Sequence, residues 1–173
     1  MSDFADPNAL RRPLAGGLSD EAAMRLALEQ AQLAYAAGEV PVGAVVLDAQ
    51  GEVLSLGYNR SISDHDPSSH AEIVALRQAA ALMKNYRLPG ASLFVTLEPC
   101  AMCMGAMLHA RLDRVVYGAT DPKTGACGSV LSVHESPQLN HRTVVSGGVL
   151  AEECGDMLRR FFRERRGKPK GAA

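Results

Sequence analysis

No stretch of this 173-residue chain approaches the roughly 20 consecutive apolar residues that a membrane-spanning helix needs, and Met1 to Gly17 holds no apolar run of the secretory kind. Both absences predict a soluble, cytoplasmic protein. Cysteine is scarce as well. Only Cys100, Cys103, Cys127 and Cys154 are present, two of them in a C-x-x-C pair, which fits a reduced compartment and metal binding better than a disulfide framework. Cys127 and Cys154 read as small buried side chains. There is no internal repeat and no low-complexity core, so solenoids and disordered scaffolds are excluded. With 47% hydrophobic residues, the length suits one ordinary domain with a sizeable core.

A large net charge is also missing, since the total is only -1, and this argues against adhesion to a polyanion over the whole surface. The balance hides an asymmetry. Arg159, Arg160, Arg163, Arg165, Arg166, Lys168 and Lys170 against Glu164 make a net +6 within residues 159 to 170, leaving -7 for the rest. Such a segment is either a localised polyanion contact or a solvated helix end and tail, and charge alone does not separate the two.

Residues 1–18, with Pro7, Pro13, Gly16 and Gly17, lack sustained periodicity and are expected to be a flexible leader. Order is expected over 19–166, followed by a basic tail at 167–173. Ser19 can cap a helix whose apolar positions Met24, Leu28, Ala31 and Tyr35 keep helical spacing, with Gly38 as its stop. Val42 to Leu47 and Val53 to Tyr58 are β-rich runs flanking Asp48-Ala49-Gln50-Gly51, which predicts an antiparallel hairpin. Further on, helices are expected over His70 to Asn85, Cys100 to Ala110 and Ala151 to Arg166. Strands are expected at Leu93 to Leu97, Arg114 to Tyr117 and Thr143 to Ser146. Helices alternating with strands in this way cover both faces of one sheet, so the fold class is α/β: three α/β/α layers around a mixed, about five-stranded sheet.

The densest chemistry lies in two short segments. His70-Ala71-Glu72 is followed, 27 residues after Glu72, by Pro99-Cys100-Ala101-Met102-Cys103. Cys100 and Cys103, three apart at a helix start, share a face and can point at one ion, and the positive end of the helix dipole favours their thiolates. A C-x-x-C pair alone could be a redox couple. His70 upstream shifts the reading to zinc, with three protein ligands and an open fourth position, the pattern of a catalytic rather than a structural site. Glu72 is the spare carboxylate, placed to accept the proton that a zinc-activated water gives up and to return it to a substrate. H-x-E with P-C-x-x-C is a zinc-deaminase signature, and it implies attack of water on the amino-bearing carbon of a nucleobase with loss of ammonia.

Over about Ser19 to Arg166 the chain resembles the bacterial tRNA-specific adenosine deaminases. The resemblance is carried by Glu39-Val40-Pro41-Val42-Gly43-Ala44, Gly57-Tyr58-Asn59-Arg60, His65-Asp66-Pro67, His70-Ala71-Glu72, Thr96-Leu97-Glu98-Pro99-Cys100, Asp121-Pro122-Lys123-Thr124-Gly125, Asn140-His141-Arg142 and Phe161-Phe162. It implies a cytidine-deaminase-like fold, one Zn²⁺ per subunit on His70, Cys100 and Cys103, and Glu72 as proton shuttle. It further implies adenosine-to-inosine conversion at the wobble position, 34, of a tRNA anticodon stem-loop, by a homodimer. By the same resemblance Asn59 hydrogen-bonds the flipped adenine, whereas its residue type alone suits a turn equally well. Asp121, Lys123 and Asn140 match positions that hold neighbouring anticodon nucleotides, and each alone would pass as loop polarity. Phe162 is the candidate for stacking on a base, although sequence does not decide which of Phe161 and Phe162 packs inward. The long leader and the segment Ser132 to Leu139 depart from the pattern, and neither touches the metal set. A deaminase of free nucleobases or nucleosides, of cytidine or guanine type, is the competing enzyme. A zinc-stabilised RNA-binding module is the competing non-enzyme, against which Glu72 and the open ligand position argue.

Overall fold

The computed structural model describes residues 16–167. Most of the expected leader and all of the tail from residue 168 onward, Lys168 and Lys170 included, lie outside the described residues.

Helix α1 spans Asp20–Ala36. Ser19 caps it, its Oγ accepting from the Ala22 amide at 3.1 Å, and Asp20 and Glu21 place negative charge at the positive end of the helix dipole. Gly38, with φ +76°, takes the left-handed conformation that lets the chain turn away. The buried face of α1 is nearly all small, with Ala23, Ala27, Ala31 and Ala34 around Met24. The strand beneath explains why: a Cβ on Gly43 would lie 1.9 Å from the Ala27 carbonyl oxygen, so helix and strand touch backbone to backbone.

Strands β1 (Gly43–Leu47) and β2 (Val53–Tyr58) form the expected antiparallel hairpin, with a bulge where the partner of Val46 is Ser55 and that of Leu47 is Val53. Its turn is held by Asp48 Oδ1, which accepts from the amides of Gln50 and Glu52 at 2.9 and 3.0 Å. Helix α2 (Ala71–Met83) lies directly on β2, since a Cβ on Gly57 would come within 2.6 Å of the Ala71 carbonyl oxygen. It stops two residues short of the expected Asn85. Lys84 turns left-handed at φ 51°, and the Asn85 amide closes back on Ala80 at 3.1 Å. Strand β3 (Ser92–Leu97), helix α3 (Ala101–His109), strand β4 (Arg114–Ala119), strand β5 (Val144–Gly147) and helix α4 (Ala151–Arg166) follow. A 3-10 turn at Val133–Glu135 is an addition to the expected order, too short to leave a periodic trace.

The five strands lie in the order β2-β1-β3-β4-β5. β1 is antiparallel to both neighbours, while β3, β4 and β5 are parallel. Two reversals restore direction, so β2 runs the same way as β3, β4 and β5, and only β1 opposes them. Every segment leaving those four strands therefore emerges at one edge of the sheet. Helices α2 and α3 pack on one face through Ala44, Val46, Leu93, Val95 and Val115. Helix α1 and the start of α4 pack on the other through Val45, Leu47, Phe94 and Val116. Alternate strand residues thus serve opposite layers, as the two-residue period of a strand requires. The result is the α/β/α sandwich with a mixed five-stranded sheet expected from sequence. Among the described residues no helix is long and apolar enough to cross a membrane.

Candidate active site

The carboxyl edge of an open α/β sheet is where ligands usually bind, and the two motif segments meet there. His70 is the residue before the first turn of α2, and Cys100 holds the same position in α3, both extended. Cys103 lies one turn into α3 and is wholly buried. The donor atoms of these three residues lie within 4.8 Å of one another. His70 Nδ1 is 3.6 Å from Cys100 Sγ and 3.5 Å from Cys103 Sγ. A tetrahedral zinc with bonds of about 2.3 Å to sulfur and 2.0–2.1 Å to nitrogen separates such donors by roughly 3.6 Å. The residues fit the ion.

Electrostatics agree with that use. Hydrogen bonding from Cys103, then from His70, lowers the Cys100 thiol to about 4 against the opposing effect of burial. The partner thiol moves the other way, because it donates to Cys100 and is buried, and Cys103 keeps its proton well above neutral pH. The two sulfurs thus share one proton until a cation displaces it. His70 is raised, chiefly by its hydrogen bond with Cys100, with burial opposing. Glu72, in the first turn of α2 and 4% exposed, is raised to about 7, first by desolvation. It is not among the three donors that meet at one point. A buried, non-ligating carboxylate beside three ligands is suited to take up a proton and release it again.

Asn59 adjoins the metal set through the backbone. Its Oδ1 accepts from the Ala71 amide at 2.8 Å, satisfying one of the free donors at the start of α2. This contact caps α2 rather than forming a turn, fixes the amide plane, and does not use the NH₂ group. Asp121 is half-buried and builds its own turn: Oδ1 accepts from the amides of Lys123 and Thr124 at 2.9 and 3.2 Å, and Oδ2 from the Thr124 hydroxyl at 2.7 Å. Lys123 is exposed at the tip of that turn. Asn140 is exposed too, but does not line the large cleft into which Lys123 projects.

That cleft, about 1610 Å³, runs between the 120–124 segment and α4, and Lys123, Arg159, Phe162, Arg163 and Arg166 contribute to its walls. Its lining includes none of the three donors. The ambiguity between the two phenylalanines resolves here. Phe161 is 4% exposed and packs edge-on against Tyr35, with ring centroids 5.4 Å apart, whereas Phe162 is 46% exposed. The basic segment divides as well. Arg159 pairs with Asp156 at 2.5 Å, Arg160 stacks over Tyr35 at 4.8 Å, and Arg165 covers Phe161 at 4.7 Å while donating to the Gly38 carbonyl at 2.5 Å. Arg163 and Arg166 have no ion pair among the described residues. The +6 of the sequence thus overstates the charge available to a ligand, because Arg160 and Arg165 hold the helix to its surroundings and Arg159 is paired with Asp156 of the same helix.

Two buried carboxylates escaped the sequence reading of function. Glu39 accepts from the amides of Ile62 and Ser63 at 3.2 and 2.7 Å and so holds the loop between β2 and α2. Glu98 does the same for the segment after β4. Hydrogen bonds from Ser129, Asp121 and Cys127 outweigh its burial and keep its carboxyl below the ordinary range. The available signal was an acidic residue just outside an apolar strand and next to a proline-containing segment.

Comparison with known proteins agrees with this geometry. The family model described as the cytidine and deoxycytidylate deaminase zinc-binding region matches residues 18–119, which include all three donors and Glu72. The tRNA-specific adenosine deaminase of Haemophilus influenzae is 51% identical over 151 residues, covering 87% of each chain. That of Bacillus subtilis is 42% identical over 153 residues, 88% of this chain and 94% of its own. A solved structure from a study of A-to-I editing by tRNA:A34 deaminases superposes with a TM-score of 0.76 at 41% identity, over 79% of this chain and 98% of its own. By zinc-binding region, by sequence along most of its length and by fold, the chain belongs to the tRNA-specific adenosine deaminases of the cytidine and deoxycytidylate deaminase family.

Proposed function

We propose that this protein converts adenosine to inosine at wobble position 34 of a tRNA anticodon by hydrolytic deamination, within a catalytic unit spanning residues 19–166. The observation that carries the reaction is the buried Glu72 beside, but outside, a three-donor set of zinc dimensions. The substrate reading is supported by the relatives, which are tRNA-specific adenosine deaminases. His70, Cys100 and Cys103 hold one zinc, whose contribution when bound is Lewis acidity that makes water a nucleophile near neutral pH. Glu72 takes the proton that water loses and delivers it to the purine ring nitrogen, then carries the proton of the new C6 hydroxyl to the departing amino group. A C6–O bond forms, the C6–N bond breaks, and ammonia leaves. The Asn59 NH₂ group, oriented by its contact with Ala71, donates to the base. Phe162 offers an exposed ring to an unpaired nucleotide, with Asp121 and Lys123 along the same cleft and Asn140, outside it, reading a neighbouring part of the loop. Purified protein incubated with total tRNA and a panel of free nucleosides separates the alternatives. Inosine in tRNA is the expected product, and turnover confined to free cytidine or guanine compounds would refute the proposal.

A polyanionic substrate predicts a salt signature that the arginine partition sharpens. Replacing Arg163 and Arg166 together by glutamine should weaken stem-loop binding and reduce the slope of log affinity against log salt by about 1.4, at roughly 0.7 per phosphate contact on single strands. Binding titrations from low to moderate salt measure this, and an unchanged slope returns both residues to the solvated-face reading. Point substitutions suit the purpose better than truncation, which would also remove Phe161 from the core.

The homodimer belongs to the same proposal. Leu82 and Met83 at the end of α2 are exposed apolar side chains, and Tyr86 just after it and Met102 on α3 border one shallow groove, a surface suited to a second copy of the chain. Sedimentation at micromolar concentration decides it, and a monomer there would end the assignment. Cytoplasmic location is consistent with four cysteines that are all free.

A further inference from the structure

Four donors converge on one buried carboxylate that the chemistry above does not use. Glu98, 2% exposed, follows the last residue of β3 and precedes Pro99 and Cys100. Its Oε2 accepts from the Asp121 amide at 2.9 Å and from the Ser129 hydroxyl. Its Oε1 accepts from the amides of Cys127 and Ser129, each at 3.0 Å. The backbone is fastened beside it: the Ala126 amide donates to the Pro99 carbonyl at 2.8 Å, and Cys100 and Gly125 form an isolated antiparallel bridge. Gly125 leaves no slack, since a Cβ there would lie 2.4 Å from Glu98 Cδ.

A loop can be held down by apolar side chains, which tolerate sliding. Charge-assisted hydrogen bonds are short and directional, and a buried carboxylate is tolerated only when its lone pairs are occupied. Glu98 therefore fixes the segment from Asp121 to Ser129 at both ends and does so from a point two residues ahead of a zinc ligand. We propose that Glu98 is a positioning residue: it sets the 121–129 loop, with Asp121 and Lys123, in register with the metal-holding start of α3. The target base and its neighbouring nucleotides are then placed by one rigid unit. This inference rests on the reading of Asp121 and Lys123 as RNA contacts.

Glu98→Gln tests it. Glutamine keeps one acceptor oxygen and turns the other position into a donor, which meets a donor already there, so the loop loses a fastening while the volume is conserved. With wild-type and variant proteins loaded with zinc, the variant should raise KM for an anticodon stem-loop RNA about tenfold. Its kcat should stay within about threefold of wild type and its zinc content at one per chain. In the same samples the amides of Asp121, Cys127 and Ser129 should exchange with deuterium at least about tenfold faster, and those of α3 at unchanged rates. If KM and exchange are both unchanged, or if zinc content or kcat falls while KM holds, the proposal is overturned. Ser129→Ala covers the case in which the glutamine variant fails to fold. It removes one donor, at a residue that is itself exposed, and should shift KM and exchange in the same direction by a smaller factor, and no shift there is equally fatal. Should the wild-type protein deaminate no RNA, the proposed function fails, while the exchange measurement still decides the role of Glu98.

Discussion

Glu72→Ala should bind one zinc per chain as the wild type does, and lose about 10³-fold in the rate of inosine formation. Metal retention follows from geometry, because the three donors are complete without the carboxylate. The rate loss follows from its place. A positioned general acid/base contributes about 10²–10⁴-fold, and Glu72 is asked to serve twice, receiving a proton and then giving it back. Burial favours this double use: desolvation raises Glu72 to about 7, so neither its charged nor its neutral form is strongly preferred in the ion-free protein. Metal analysis paired with single-turnover assays on a stem-loop RNA gives the answer. Near wild-type turnover would remove Glu72 from the chemistry, and lost zinc would make it a ligand. Glu72→Gln, which conserves volume and one hydrogen-bonding oxygen but not basicity, should be nearly as slow, showing that proton transfer rather than packing has been removed.

Removing a zinc ligand should have a larger effect still. Cys103→Ser is expected to lower occupancy below about 0.1 ion per chain and to abolish measurable deamination, since a neutral hydroxyl replaces a thiolate at a wholly buried position. The wild-type site makes a companion prediction about protons. Without the ion Cys100 is already a thiolate at neutral pH, whereas Cys103 retains its proton, and His70 is raised so that it gains one as pH falls. The ion-free site therefore binds more protons than the loaded one, and zinc affinity must fall as pH is lowered. Calorimetric titration of the ion-free protein in buffers of different ionisation enthalpy should show protons released as the ion binds. A release near zero would contradict a pair of sulfurs sharing one proton.

The metal set was legible before any coordinate because its parts lie in two short segments whose spacing encodes direction: i and i+3 on a helix start, and a histidine and glutamate on another. The sandwich was legible for a similar reason, as periodicity reports which side of an element is buried. Other features depend on contacts between residues far apart in the chain. Nothing near Phe161 and Phe162 says which one faces inward, because that choice is made by Tyr35, more than a hundred positions away. The arginines of α4 looked equivalent in sequence and are not, since Gly38, Tyr35 and Asp156 each claim one. Glu98 was visible as part of a matching segment, but its role requires the loop of residues 121–129 to have folded around it. The 3-10 turn and the end of α2 at Lys84 are local events with little periodic signal.

The anchoring of α4 to α1 carries a thermodynamic consequence. Tyr35 donates to Glu164 at 2.5 Å, Phe161 fills the space beside it, and Arg165 reaches back to Gly38, so the last turns of the helix are immobilised against the body of the protein. Arg163, between these fixed points, and Arg166, directly after the last of them, present their charges from a helical backbone that has already lost its conformational entropy during folding. A cationic tail of equal charge would lose that entropy on contact with RNA, at about 1–2 kcal/mol for each backbone residue ordered. In the proposed complex, the anchoring of Arg165 to Gly38 thereby strengthens the attraction exerted by Arg163 and Arg166.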